Sequence, residues 1–180
     1  MQPLLQFHGG RLRPTTKFDA GFLLEFLNIP EVRRYLCDGK IQTKADVSAL
    51  LTENERFETD GLGLWLIETD THGEVGMAGL VPVSGPLLCE PRMAGGIEPT
   101  IALEPGAWGQ GLARAALSAL IHHARDGLKL TSLVAAADAP NAYSHRLLAA
   151  CGFERTGKCP GVVHELILYQ LSLHRPIATN

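Results

Sequence analysis

Glu98-Pro99-Thr100-Ile101-Ala102-Leu103-Glu104-Pro105-Gly106-Ala107-Trp108-Gly109-Gln110-Gly111-Leu112-Ala113 changes character twice. Residues 97–103 are apolar and strand-like. Pro105-Gly106 breaks the run, Gly109-Gln110-Gly111 makes a tight turn, and from Leu112 the chain is rich in Ala and Leu, as a helix is. A strand that passes through glycines into a helix leaves the first helical N–H groups without partners. Such an array binds anions, phosphates in particular. The stretch predicts a phosphate-bearing ligand held by backbone.

Outward from this point the pattern is mixed. Residues 10–15 predict a short first strand. Asp19 is placed to cap a helix through Leu27, Pro30 to start a second through Leu36, and Thr43 with Asp46 to form a capping box for a third. Residues 63–69 are apolar and β-prone, and Asp70-Thr71-His72-Gly73 predicts a hairpin turn returning through 75–81. Residues 83–96, with two prolines and four glycines or serines, predict an irregular loop. Beyond the opening stretch come a helix over 110–125, a strand over 130–136, a helix over 141–151 ended by Gly152, and strands at 153–156 and 162–171. Early helices, a hairpin, one β-α-β unit and a final hairpin exclude an all-parallel doubly wound fold. The class is α/β or α+β around a mixed sheet.

The 180 residues fit one domain, 1–180, without internal repeat or linker. With 46% hydrophobic and 19% charged residues and a net charge of -3, the chain lacks the basic footprint of a nucleic-acid binder. It also has no apolar run of membrane-spanning length and no signal pattern at Met1-Gln2-Pro3-Leu4, so a cytoplasmic location is expected. Cys37, Cys89, Cys151 and Cys159 contain no Cys-x-x-Cys pair and read as reduced thiols. His122 and His123 are neighbours on a helix and point apart, so no metal site is expected.

Three glycine-rich devices compete for the turn. A nucleoside-triphosphate loop needs a lysine after the second glycine, and Leu112 follows Gly111. A dinucleotide fingerprint needs a third glycine where Arg114 stands, and its acidic partner is missing, since Asp138 is too distant. The third device is the one matched. Trp108-Gly109-Gln110-Gly111-Leu112-Ala113 resembles motif A of the GNAT superfamily of acyl-CoA-dependent N-acetyltransferases, with Trp108 in place of the usual first Gln or Arg. One helix and one strand later, Asn141-Ala142-Tyr143-Ser144, Leu147-Leu148 and Cys151-Gly152-Phe153 resemble the Asn-x-x-Ser block of the branch similar to ribosomal-protein N-terminal acetyltransferases. Arg11-Leu12-Arg13-Pro14 and residues 30–36 resemble that branch's opening.

The resemblance implies a mostly antiparallel central sheet with helices on both faces, and acetyl-CoA as co-substrate with a primary-amine acceptor. It assigns the pyrophosphate to backbone amides from Gly109 through Gln110, Gly111, Leu112 and Ala113 to Arg114, beside Trp108. Ile101, Ala102 and Leu103 would pair with the pantetheine arm, and one of their N–H groups would face the thioester oxygen. This strand would be central and bulged, with Pro99 as the bulge residue. Glu98 stands where the family often places its general base; a solvated strand-end glutamate is the competing reading, and Glu165 beside His164 is a weaker acidic candidate. Asn141 would hold the pantetheine amides, cap the helix, or both. Ser144 would lie near the thiol as proton donor, ahead of Tyr143 or water, because Leu148 replaces the tyrosine used by many relatives. A non-catalytic acyl-CoA-binding domain is the alternative. The acceptor is left open among a protein N-terminus, an aminoglycoside and a polyamine, and a homodimer is left open too.

Overall fold

The computed structural model describes residues 2–174. In chain order these form β1 (Leu5–Phe7), β2 (Gly10–Pro14), α1 (Ala20–Leu27), α2 (Pro30–Leu36), α3 (Lys44–Glu55), β3 (Gly63–Thr69) and β4 (Gly73–Pro82). There follow β5 (Ile97–Leu103), α4 (Leu112–His122), β6 (Ser132–Asp138), α5 (Ala142–Ala150), β7 (Glu154–Pro160) and β8 (Glu165–Ser172). No helix among the described residues is long and apolar enough to cross a membrane.

The strands make two antiparallel half-sheets, β1-β2-β3-β4-β5 and β6-β8-β7. Their inner edges, β5 and β6, run side by side in the same direction: a Cβ on Gly96 would touch Val134, and two residues on, Glu98 reaches Ala136. The two strands share no ladder. A β-α-β crossover thus sets them parallel, while every ladder within the halves is antiparallel. The expectation of a mixed, mostly antiparallel sheet holds.

Period-two alternation along β3 and β4 sends apolar side chains to both faces, and both are covered. Leu64, Leu66 and Met77 meet Leu23, Phe26, Val47 and Leu51 of α1 and α3 on one side. Trp65, Ile67 and Leu103 meet Leu112, Ala116, Leu117 and Leu120 of α4 on the other, in a core continued by Leu148 of α5 and by Leu133, Ala135 and Ile167. Burying about twenty such side chains at about 2 kcal/mol each is the main force holding the half-sheets to their helices.

Three sequence expectations are corrected and one is sharpened. Residues 83–96 are irregular as expected but packed: they include a 3-10 turn, Gly85–Cys89, and Val83 and Met93 pack with Val134 and Leu168, with Leu87 against them. The segment covers the face of the second half-sheet that no helix reaches. Asp19 does not cap α1; its carboxylate takes the Thr16 N–H at 2.6 Å and the Arg13 guanidinium at 2.9 Å, while Thr16 caps a 3-10 turn ahead of the helix. The helix expected over 110–125 starts at Leu112 and widens into a π-turn over His123–Gly127, where the His123 ring nitrogen lies 2.8 Å from the Gly61 carbonyl. Finally, β5 is regular against β4, with no register shift at Pro99. β1, a three-residue strand, was not anticipated. The Thr43–Asp46 capping box and the hairpin turn before Gly73 are as expected.

Candidate functional site

Hydrogen-bond parity explains why Pro99 needs no bulge. The N–H of Glu104 donates to Val75 and that of Val83 to Gly96, so even-numbered residues of β5 face β4. Odd-numbered ones face the other way, where a missing proline N–H breaks no ladder. Ile101 and Leu103 therefore turn their N–H groups toward β6. On β6 the parity is reversed: Ala139 donates to Glu165 and Leu173 to Thr131, so odd residues pair with β8 and Ala136 and Asp138 face β5. Between these two edges opens a cleft of about 870 Å³. Its walls carry backbone donors and acceptors arranged to receive an extended chain as a strand would be received.

One end of the cleft meets the Gly109–Gly111 turn. Gly109 and Gly111 have φ of +75° and +78°, a left-handed conformation costly for residues with a Cβ. Gly111 occupies the N-cap of α4 with no side chain to cap it, so the N–H groups of Leu112, Ala113 and Arg114 open into the cleft. The helix dipole adds partial positive charge there. Trp108 is fixed beside the turn by its indole N–H, which donates to the Leu103 carbonyl at 2.8 Å. Of the thirteen residues expected in the site, only Gln110 is absent from the cleft lining; its side chain turns back to the Gly106 carbonyl at 3.0 Å.

Glu98 lines the cleft between β5 and β6. Its Oε1 accepts the Ala136 N–H at 2.8 Å, a bond that bridges the two half-sheets. Burial pushes its carboxyl up from 4.5 to about 7, against the opposing pull of that N–H. The carboxylate is part-buried and bonded across the half-sheets rather than free in solvent, and a group raised in this way is suited to exchange a proton near neutral pH. Glu165 is elsewhere, paired with Lys158 at 2.9 Å and absent from the cleft lining, so the second acidic candidate falls away.

α5 forms the opposite wall. Asn141 caps it, its Oδ1 accepting the Ser144 N–H at 3.2 Å, and its side-chain amide is left for another partner. Ser144 lines the cleft one turn on, and Leu148 is buried. Sequence reasoning passed over what holds this helix. A His145 ring nitrogen, Nε2, lies 3.1 Å from the Ala139 carbonyl, which can only accept, so that nitrogen carries the proton. The other, Nδ1, then accepts the Tyr169 hydroxyl at 2.8 Å. With Ala139 also donating to Glu165, the loop that delivers Asn141 is clamped to β8. α2 closes the remaining side with Glu31, Arg34 and Tyr35, whose ring lies 6.4 Å from that of His164.

A family model described as an acetyltransferase (GNAT) domain matches residues 11–154. The chain belongs to the GNAT acetyltransferase family. Solved structures of this family share its fold. A GNAT-family acetyltransferase from Bordetella pertussis superposes with a TM-score of 0.79 at 21% identity, covering 94% of this chain and 99% of its own. A ribosomal-protein-S5-alanine acetyltransferase from Vibrio fischeri gives 0.74 at 16% identity, with coverages of 95% and 97%. A spermidine N-acetyltransferase from Vibrio cholerae, solved with CoA and spermine, gives 0.74 at 15%, with 92% and 96%. No curated protein matches by sequence. One fold is thus shared by a ribosomal-protein-alanine acetyltransferase and by a spermidine acetyltransferase.

Proposed function

We propose that this chain is an N-acetyltransferase that moves the acetyl group of acetyl-CoA to a primary amine within a ternary complex. The observation that carries the proposal is the continuous cleft: a glycine turn and bare helix start at one end, two unpaired strand edges along it, and the high-pKa Glu98 within it. The residues fit the co-substrate. The amides at the start of α4 would hold the pyrophosphate, the cleft-facing backbone of β5 and Asn141 the pantetheine amides, and the co-substrate supplies an acyl group already activated as a thioester.

The chain's own groups and solvent then account for each proton. Glu98 takes one from the acceptor ammonium, directly or through water, freeing a nitrogen lone pair. As nitrogen bonds to the carbonyl carbon, the developing oxyanion is stabilised by a backbone N–H of β5, and parity narrows the donor to Ile101 or Leu103. The carbon–sulfur bond breaks, the nitrogen gives its second proton to solvent to leave a neutral amide, and Ser144 protonates the departing thiolate, drawing a proton in turn from solvent.

The experiment is release of free thiol from acetyl-CoA across a panel of peptides, polyamines and aminoglycosides. Release with at least one amine is expected. Leu148, an apolar residue at the position where many relatives carry tyrosine, supports a second reading, an acyl-CoA-binding domain without turnover. CoA binding with no thiol release from any amine would favour it.

A further inference from the structure

We infer that Arg146 is the seat of the 3′-phosphate of CoA and that Trp108 and Tyr143 are the platform that holds it there. This rests on the acetyl-CoA reading above and adds to it the recognition of the adenosine end. Three contacts run in series from the strand to the surface. The Leu103 carbonyl fixes the Trp108 indole at 2.8 Å. The Trp108 and Tyr143 rings lie 5.8 Å apart, across the gap between the α4 turn and α5. The Arg146 guanidinium then sits 4.7 Å over the Tyr143 ring. All three residues line the mouth of the cleft, and both rings are exposed, Trp108 at 43% and Tyr143 at 69%.

Large aromatic rings left in water are costly unless a ligand uses them. Here they pre-orient a cation. No carboxylate among the described residues pairs with Arg146, and a guanidinium held over a ring keeps its donors free for a phosphate. The two other arginines at the cleft are placed differently. Arg114 lies in the first turn of α4, at the pyrophosphate amides, and Arg34 lies on α2 over the Tyr35 ring at 5.2 Å. One phosphate group remains for the cation on the outer side of α5.

The test is calorimetric binding of CoA and 3′-dephospho-CoA to the full chain and to three variants, without acceptor. The wild type is expected to prefer CoA by about tenfold, as a charge-assisted phosphate contact warrants. Arg146→Gln should weaken CoA by about tenfold while leaving 3′-dephospho-CoA within about twofold, removing the preference. Tyr143→Ala should move the ratio the same way by about threefold, through loss of the cation–π contact. Arg114→Gln should weaken both ligands alike. Equal loss of both ligands in Arg146→Gln, or loss of the preference in Arg114→Gln instead, overturns the assignment. A wild type that binds both ligands equally overturns it while leaving the acetyl-CoA reading intact; one that binds neither overturns both. All three substitutions are at exposed positions, and unchanged circular dichroism separates these outcomes from misfolding.

Discussion

Replacing Glu98 by glutamine should make the protein more stable and inactive at the same pH. Burial raises the carboxyl from 4.5 to about 7, so the folded state binds the proton more tightly than the unfolded chain does. The stabilisation is therefore full below the unfolded pKa and is lost as pH rises through the folded one. A shift of that size corresponds to about 3 kcal/mol, and access of water through the cleft reduces it to about 2. Glutamine avoids this penalty, and its Oε1 can still accept the Ala136 N–H. Urea unfolding without ligand is the assay. At pH 5 the wild type, mostly protonated, should unfold close to the variant; at pH 8 Glu98→Gln should be more stable by about 2 kcal/mol. In the same pH range wild-type kcat/KM should climb with an apparent pKa near 7, as the base ionises. The variant should lose about 10²–10⁴-fold in rate and show no such limb. A stability difference that is the same at pH 5 and pH 8 would refute the buried-carboxyl argument, and a variant with wild-type turnover would remove Glu98 as the base.

Further outcomes follow from the site. Gly111→Asp should abolish CoA binding, because a side chain at φ +78° is strained and its carboxylate repels a phosphate; unchanged affinity by calorimetry would refute the cradle. Ser144→Ala should lower kcat with CoA affinity largely kept, and equal turnover would exclude Ser144 from the proton path. Gly96→Ala would set a Cβ 2.4 Å from a Val134 methyl, forcing β5 and β6 apart at a cost of about 1–3 kcal/mol in urea unfolding. A neutral effect would mean that the strands separate freely at this point.

The parts of the fold legible in sequence are those with local causes. The glycine turn before α4, the Thr43–Asp46 box, Pro30 at the start of α2 and Gly152 at φ +87° after α5 each act through neighbouring backbone, and each lies where its chemistry requires. What escaped depends on distant partners. Leu5–Phe7 is too short to show a period and becomes a strand only because β2 pairs with it. Asp19 has the chemistry of a cap, but Arg13 competes for its carboxylate. Pro99 looks disruptive until the parity of β5 is known. Glu98 shows the limit most clearly: position suggests a base, whereas its raised pKa comes from burial that only the folded chain supplies, with the Ala136 N–H, thirty-eight residues away along the chain, pulling the other way.

The alternation along β5 also has a kinetic signature. Thr100 and Ala102 spend their amide protons on β4, whereas Ile101 and Leu103 hold theirs toward the cleft. Amide exchange along this strand should read slow, fast, slow, fast, since protection follows hydrogen bonding rather than burial alone. An occupant that pairs with the strand should slow the fast members and leave the others nearly unchanged. The backbone thus carries its own binding reporter, legible residue by residue without any label on the ligand.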